Sequence, residues 1–236
     1  MIHKLLRASA CASLILSFSM ANAQSDISSE IELGAIFTSG NTEEENIKFR
    51  GEIDWERDRW EYGLSLEGFR SSKNDQLTAQ RLYTVVKADY DLSEVSFVET
   101  RLAHEDDRFS GYDSQTDLTL SYGRSLLNDI ENLHWEYTVG AGARTSRSDT
   151  GDFTEAIIRA ATELNWNVSD NALFIQKFSI ESGDESSIAR SESSIQSDIM
   201  ENLSMKFAFK VKHQTEVPFG RKKTDTETSV TLLLRL

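Results

Sequence analysis

The chain has 236 residues with 25 basic and 39 acidic side chains, a net charge of −14. That length suits one domain, and that acidity argues against a basic surface gripping nucleic acid or anionic lipid. Cys11 is the only cysteine and no stretch after Met20 is long and apolar enough for a spanning helix, which excludes a disulfide scaffold and a helical membrane protein.

The N-terminus speaks for export. Met1 to Arg7 carries Lys4 and Arg7 and no acid, a short apolar run follows from Leu14 to Met20, and Ala21-Asn22-Ala23 precedes Gln24. A basic start, a greasy middle and a small-x-small exit form a secretory signal peptide, so residues 1–23 are expected to be removed after passage through the Sec pathway. Cys11 leaves with them. It precedes the greasy run, where a lipoprotein cysteine would follow one, so lipidation is not expected. The expected mature domain spans residues 24–236.

From there one pattern recurs. Ile31-Glu32-Leu33-Gly34-Ala35 alternates apolar or small residues with polar ones, and Ile47 to Trp55 places charges at every even position. Period-two alternation marks strands with one apolar and one polar face. Trp60 to Leu66, Leu118 to Tyr122, Trp135 to Val139, Ala156 to Trp166 and Leu203 to Lys212 repeat it. On a helix these charges would cross the apolar stripe at every turn.

Turn-forming residues divide the chain into about twelve strands, long enough for tilted membrane strands of roughly 9–11 residues. The connections alternate. Short ones fall at Glu56–Arg59, Asp91–Ser93, Leu127–Asn132, Val168–Asp170 and Glu201-Asn202; longer polar ones at Thr38–Glu45, Arg70–Gln76, Asp106–Asp113, Thr145–Phe153, Ser182–Ser187 and Gln214–Asp225. Short turns opposite long loops characterise outer-membrane barrels, and an even strand number puts both termini on the periplasmic side. The expectation is an all-β fold, an antiparallel up-and-down transmembrane β-barrel in the outer membrane of a Gram-negative bacterium.

The tryptophans agree with it. Trp55, Trp60, Trp135 and Trp166 all fall at short turns and on the outward face, as an aromatic girdle at a membrane interface requires. The last strand, Val230 to Leu236, puts Val230, Leu232, Leu234 and Leu236 on one face. It is similar to the C-terminal signal that outer-membrane assembly machinery recognises, with Leu in place of the usual Phe.

Three segments carry a family resemblance: Leu33-Gly34-Ala35-Ile36-Phe37-Thr38-Ser39-Gly40-Asn41-Thr42, Asp106 to Asp113, and Val217-Pro218-Phe219-Gly220-Arg221-Lys222-Lys223-Thr224-Asp225-Thr226. They resemble a family of unknown function labelled salt-induced outer-membrane protein, YdiY-like (domain of unknown function 481). The resemblance implies an outer-membrane β-barrel and, from the label, a link to salt or osmotic adaptation. It implies no established activity and no catalytic residues.

Strand parity points many ionisable groups inward, among them Lys48, Arg50, Glu52, Glu99, Arg101, Glu136, Arg159, Glu163, Lys206 and Lys210. Either these charges pair and plug a narrow lumen, or they line a wet one as a selectivity surface. Twelve strands lie between barrels filled by side chains and those enclosing a channel. Excess acid is expected in loops, at Glu43-Glu44-Glu45, Asp106-Asp107 and Asp184-Glu185, without the ligand spacing of a calcium loop. Arg221, Lys222 and Lys223 form the basic run, suited to an anion such as a lipopolysaccharide phosphate or to folding back on the acidic loops. No G-x-S-x-G, H-E-x-x-H or zinc spacing occurs. A non-catalytic barrel without cofactor or metal is therefore expected, supporting envelope integrity or osmotic adaptation with a narrow or plugged lumen, or else acting as a small porin-like diffusion channel. The alternative is a lipid-acting enzyme assembled from separate strands around His104, His134 or His213. Outer-membrane lipids and lipopolysaccharide are the expected surroundings.

This predicts that the expressed protein fractionates with the outer envelope and runs faster on a gel unheated than boiled. A chain that stays soluble without detergent would contradict it.

Overall fold

The computed structural model describes residues 27–39, 45–73, 76–107, 112–148, 151–217 and 219–236. The expected signal peptide, Glu43, Glu44 and Pro218 lie outside the described residues.

Alternation in the sequence becomes twelve strands: β1 (Ile27–Ser39), β2 (Glu45–Arg57), β3 (Trp60–Lys73), β4 (Gln76–Ser93), β5 (Ser96–Asp107), β6 (Ser114–Leu126), β7 (Leu133–Ser148), β8 (Gly151–Ser169), β9 (Ala172–Gly183), β10 (Ser187–Met200), β11 (Leu203–Gln214) and β12 (Thr224–Arg235). Each pairs antiparallel with its sequence neighbours, and β1 pairs with β12, from Glu30 opposite Arg235 to Ser39 opposite Thr226, so the barrel is closed. Closure removes the free edges that a lone sheet would expose.

Burial follows parity. Along β5, Arg101, Ala103 and Glu105 are buried while Leu102 and His104 are exposed; along β6, Asp117, Thr119 and Ser121 are buried while Leu118 and Leu120 stand out. The barrel is thus inverted relative to a soluble protein: large apolar side chains such as Ile158, Phe207 and Leu232 are on the outside, and charges are enclosed. Only a hydrocarbon surround makes so extensive an apolar exterior favourable.

The strands exceed the expected lengths, and pairing continues where long loops were expected. Arg147 pairs with Asp152 and Ser148 with Gly151, Lys73 with Gln76, and Ser187 with Ser182. The expected loops Thr145–Phe153 and Arg70–Gln76 are therefore mostly strand, and Ser182–Ser187 narrows to Asp184-Glu185-Ser186. Their Ser, Thr, Asp and Arg side chains read as loop by polarity, but beyond lipid a ladder tolerates polar residues on both faces. At the opposite end, β4 runs to Ser93 and turns at Glu94-Val95, beyond the expected Asp91–Ser93. The Glu56–Arg59 turn narrows to Asp58-Arg59, with Asp58 in the left-handed region at φ 58°, which short polar residues tolerate. The connection Leu127–Asn132 is stitched by backbone bonds from Ile130 N to Leu127 O and from Leu133 N to Ile130 O.

Leu120, outward at the middle of β6 and 59% exposed, tests the inversion. Leu120→Arg is expected to destabilise the refolded protein by about 2–4 kcal/mol in lipid, measured by urea unfolding in vesicles, whereas a soluble barrel would lose nothing there.

Candidate functional site

The enclosed face is an ion-pair lattice. Glu67 on β3 takes Lys210 Nζ at 2.6 Å, Arg81 Nη2 at 3.0 Å and Lys48 Nζ at 3.6 Å, with Arg50 at 3.7 Å. Glu227 on β12 accepts from Lys48 at 2.7 Å and Arg81 at 2.9 Å. Glu192 on β10 faces Lys210 at 3.2 Å and Lys206 at 3.4 Å, and Lys206 also meets Glu32 at 3.4 Å. Lys48, Glu67 and Glu32 are almost wholly removed from solvent. Charges so placed persist when each is paired and hydrogen-bonded.

A second set crosses the lumen. Glu105 on β5 accepts from Arg190 on β10 at 3.0 Å and from Lys212 on β11 at 2.7 Å. Arg190 also reaches Glu181 at 2.7 Å, and Arg159 on β8 bridges Glu181 at 3.3 Å and Glu99 on β5 at 3.1 Å. Since β5 and β10 are far apart in the strand order, these bridges brace opposite walls. Between them Tyr83 accepts a 2.6 Å hydrogen bond from Arg101 Nη2 and lies under the Arg190 guanidinium, 5.6 Å from its ring centre.

Filling is uneven. Toward the end that holds the longer loops, Arg144 donates twice to Asp117, at 2.8 and 2.7 Å, with Ile157 and Ile188 enclosed nearby on β8 and β10. Glu155 closes the same side by accepting from the backbone of Glu185 and Ser186. At the short-turn end the groups are more exposed: Lys87 with Glu61 at 3.3 Å, Lys177 with Glu163 at 2.9 Å, His134 with Glu136 at 3.4 Å. Phe97 lies across Gly123 there, so close that a Cβ on Gly123 would sit 2.2 Å from the ring; only glycine leaves room for it.

Between these groups lies a cavity of about 350 Å³, walled by Asp107, Asp225, Arg81 and Lys212 toward the long-loop end and by Asp54, Lys87, Glu136 and Lys177 toward the other. Eleven carboxylates and nine bases line it, so neither sign forms a continuous track.

Of the lumenal residues expected from parity, Arg50, Glu52, Glu99, Arg101, Glu136, Arg159, Glu163 and Lys210 line the cavity, and Lys48 and Lys206 are buried. Lys48, Arg50, Glu52, Glu99, Arg159, Glu163, Lys206 and Lys210 are in ion pairs, Glu136 meets His134, and Arg101 bonds Tyr83. Glu105, Glu192, Arg190, Lys212 and Glu227 were not among those expected; Glu105 and Lys212 continue the parity of Arg101 and Lys210, whereas β10 and β12 offered no assigned neighbour to continue from. Asp107, expected in an acidic loop, lines the cavity. Trp55 and Trp60 stack on Tyr62 at 5.1 and 5.8 Å, Trp135 donates to Thr162 at 2.7 Å, and Trp166 is 43% exposed; all four are at the short-turn end. In the basic loop Arg221 and Lys222 are exposed, while Lys223 turns back to the Thr215 carbonyl and to Glu216 at 3.5 Å. His104 and His213 face outward and bond Thr116 and Thr224, each at 2.8 Å. Among the described residues no three of His, Asp, Glu or Cys are grouped to hold a metal ion.

Known proteins resemble this chain in sequence or in fold. The family model described as "Protein of unknown function, DUF481" matches residues 31–235. The uncharacterized protein YdiY of Escherichia coli (strain K12) is 25% identical over 215 residues, covering 90% of this chain and 84% of that one. Among solved structures, the NanC porin is similar with a TM-score of 0.61 at 9% identity, covering 87% of this chain and 100% of the other. The KdgM porin, in complex with disordered oligogalacturonate, gives 0.51 at 13% identity over 87% of this chain and 98% of the other. An outer-membrane phospholipase dimer from Salmonella typhi with bound calcium gives 0.53 at 10%, covering 93% of each chain. At such identities the likeness is one of fold: an outer-membrane-type barrel.

Glu67 is the hub, so Glu67→Gln leaves Lys48, Arg81 and Lys210 sharing the carboxylates that remain. The expected loss is about 3–5 kcal/mol, read from urea unfolding of the refolded barrel; an unchanged midpoint would mean that the lattice contributes little.

Proposed function

This chain belongs to the DUF481 family of proteins of unknown function, and from that premise we propose that it is a narrow, charge-lined channel of the Gram-negative outer membrane for water, ions and small polar solutes, and not an enzyme. The observation that carries the reading is the cavity. It is bounded on β5 by residues from Glu99 to Asp107, about 26 Å at 3.3 Å per residue. A volume of 350 Å³, at the small end for a ligand pocket, is there drawn out along most of β5. Its balanced charges favour small solutes of either sign over a polyanion, which would need a basic track. The braces formed by Glu105, Arg190, Arg159 and Glu181 cross it.

Delivery fits the same reading. The N-terminal segment suits Sec export with cleavage after Ala23, and the apolar last strand suits capture by barrel assembly machinery, giving a barrel seated among outer-membrane lipids and lipopolysaccharide with its short turns in the periplasm. A slow leak of small solutes would serve osmotic adaptation. A wholly structural barrel is the competing reading, favoured by the close packing around Ile157, Ile188 and Arg144 on one side of the lumen.

Planar-bilayer recording separates the two. The refolded mature protein is expected to show small, steady conductance steps, and Arg190→Ser, which removes the brace to Glu105 and Glu181, is expected to raise their size severalfold. Silence from both proteins would leave only the structural barrel.

A further inference from the structure

The lattice is complete at every lumenal base but one. Lys48, Arg50, Arg81, Lys87, Arg144, Arg159, Lys177, Arg190, Lys206, Lys210 and Lys212 each have a carboxylate within 4.0 Å. Arg101 has none among the described residues. It lines the cavity and is 8% exposed; Nη2 donates to the phenol oxygen of Tyr83, and Nη1, itself shut away from solvent, has no hydrogen-bond partner.

Its surroundings sharpen the imbalance. In register with Arg101 stand Lys87 on one side and Thr119 on the other, so a second cation, not an acid, is its cross-strand neighbour, an arrangement that is unfavourable by itself. The nearby carboxylates are already engaged: Glu99 by Arg159, Glu105 by Arg190 and Lys212, Glu181 by Arg190 and Arg159. On the same face, Ala103 two residues along and Thr119 across are small. Arg101 thus shares the field of Glu99 and Glu181 with Arg159 and Arg190 without a carboxylate paired to it, which is unfavourable for a buried charge, and its side chain borders open space.

We infer that the cavity beside Arg101 is a binding site for a small monocarboxylate, held by the guanidinium with Tyr83 orienting it. The class follows from the chemistry. A planar fork of N–H donors matches a carboxylate in two parallel hydrogen bonds. Glu99, Glu105 and Glu181 close by repel a second negative charge, so a monoanion is favoured over phosphate or a dicarboxylate. The inference requires that the cavity be reached from water, and does not require that solutes pass through it.

The test is saturation-transfer NMR on the refolded mature protein in detergent, with acetate as the probe. Acetate is expected to show saturable transfer that inorganic phosphate competes for poorly. Arg101→Gln is expected to weaken binding at least tenfold, and Arg101→Lys, which keeps the charge and loses the fork, to weaken it less. Heat-modifiable mobility identifies the folded fraction of each variant, and Arg101→Lys carries the test if Arg101→Gln does not fold. No saturation in the parent, equal binding in a folded Arg101 variant, or phosphate competing as well as unlabelled acetate would overturn the assignment. Because binding and not conductance is read, a silent bilayer leaves this result interpretable.

Discussion

A strand surrounded by hydrocarbon has no water to satisfy its peptide groups, so every N–H and C=O must find a partner in a neighbouring strand. The seam between β1 and β12 meets that demand, and much else follows from it. A closed ladder has an inside and an outside, and the pleat sends successive side chains to opposite sides. Apolar residues such as Leu118, Leu120 and Ile158 then solvate themselves in lipid, while Lys48, Glu67 and Arg144 are shut in together.

Enclosing charges in a small barrel forces them to choose partners. The lumen is narrow enough that side chains meet across it, which is why Glu105 on β5 is held by Arg190 and Lys212 from β10 and β11. Such bridges brace the walls. In the proposed channel, stability and permeability are tied to the same residues, since opening the lumen means breaking buried pairs. The site proposed at Arg101 is the converse: where no carboxylate of the protein pairs with a base beside an open volume, an outside anion takes that place.

Several of these features were legible in the residues. Alternation in Ile47–Trp55 and Leu203–Lys212 assigned Lys48, Arg50, Glu52, Lys206 and Lys210 to the enclosed face, and the structure places them there. Parity was harder to read in β10, where Ser-Ile-Ala-Arg-Ser-Glu-Ser-Ser sets few large apolar residues against the polar ones, so Arg190 and Glu192 went unassigned. Loop lengths were overestimated for a related reason. In Arg147, Ser148 and Asp152 polarity marks contact with water, and the ladder extends into water as readily as a loop does.

The sequence by itself determined the fold class, the inward or outward sense of most strand residues and the clustering of tryptophans at one end, because these depend only on a period of two and on local turn chemistry. Which charge meets which was decided by tertiary structure. Glu105 and Arg190 are 85 positions apart, and only the closure, tilt and stagger of the whole barrel bring them to the same level. The same geometry left Arg101 beside Lys87 and an open cavity rather than beside a carboxylate, a distinction that no property of Arg101's neighbours along the chain encodes.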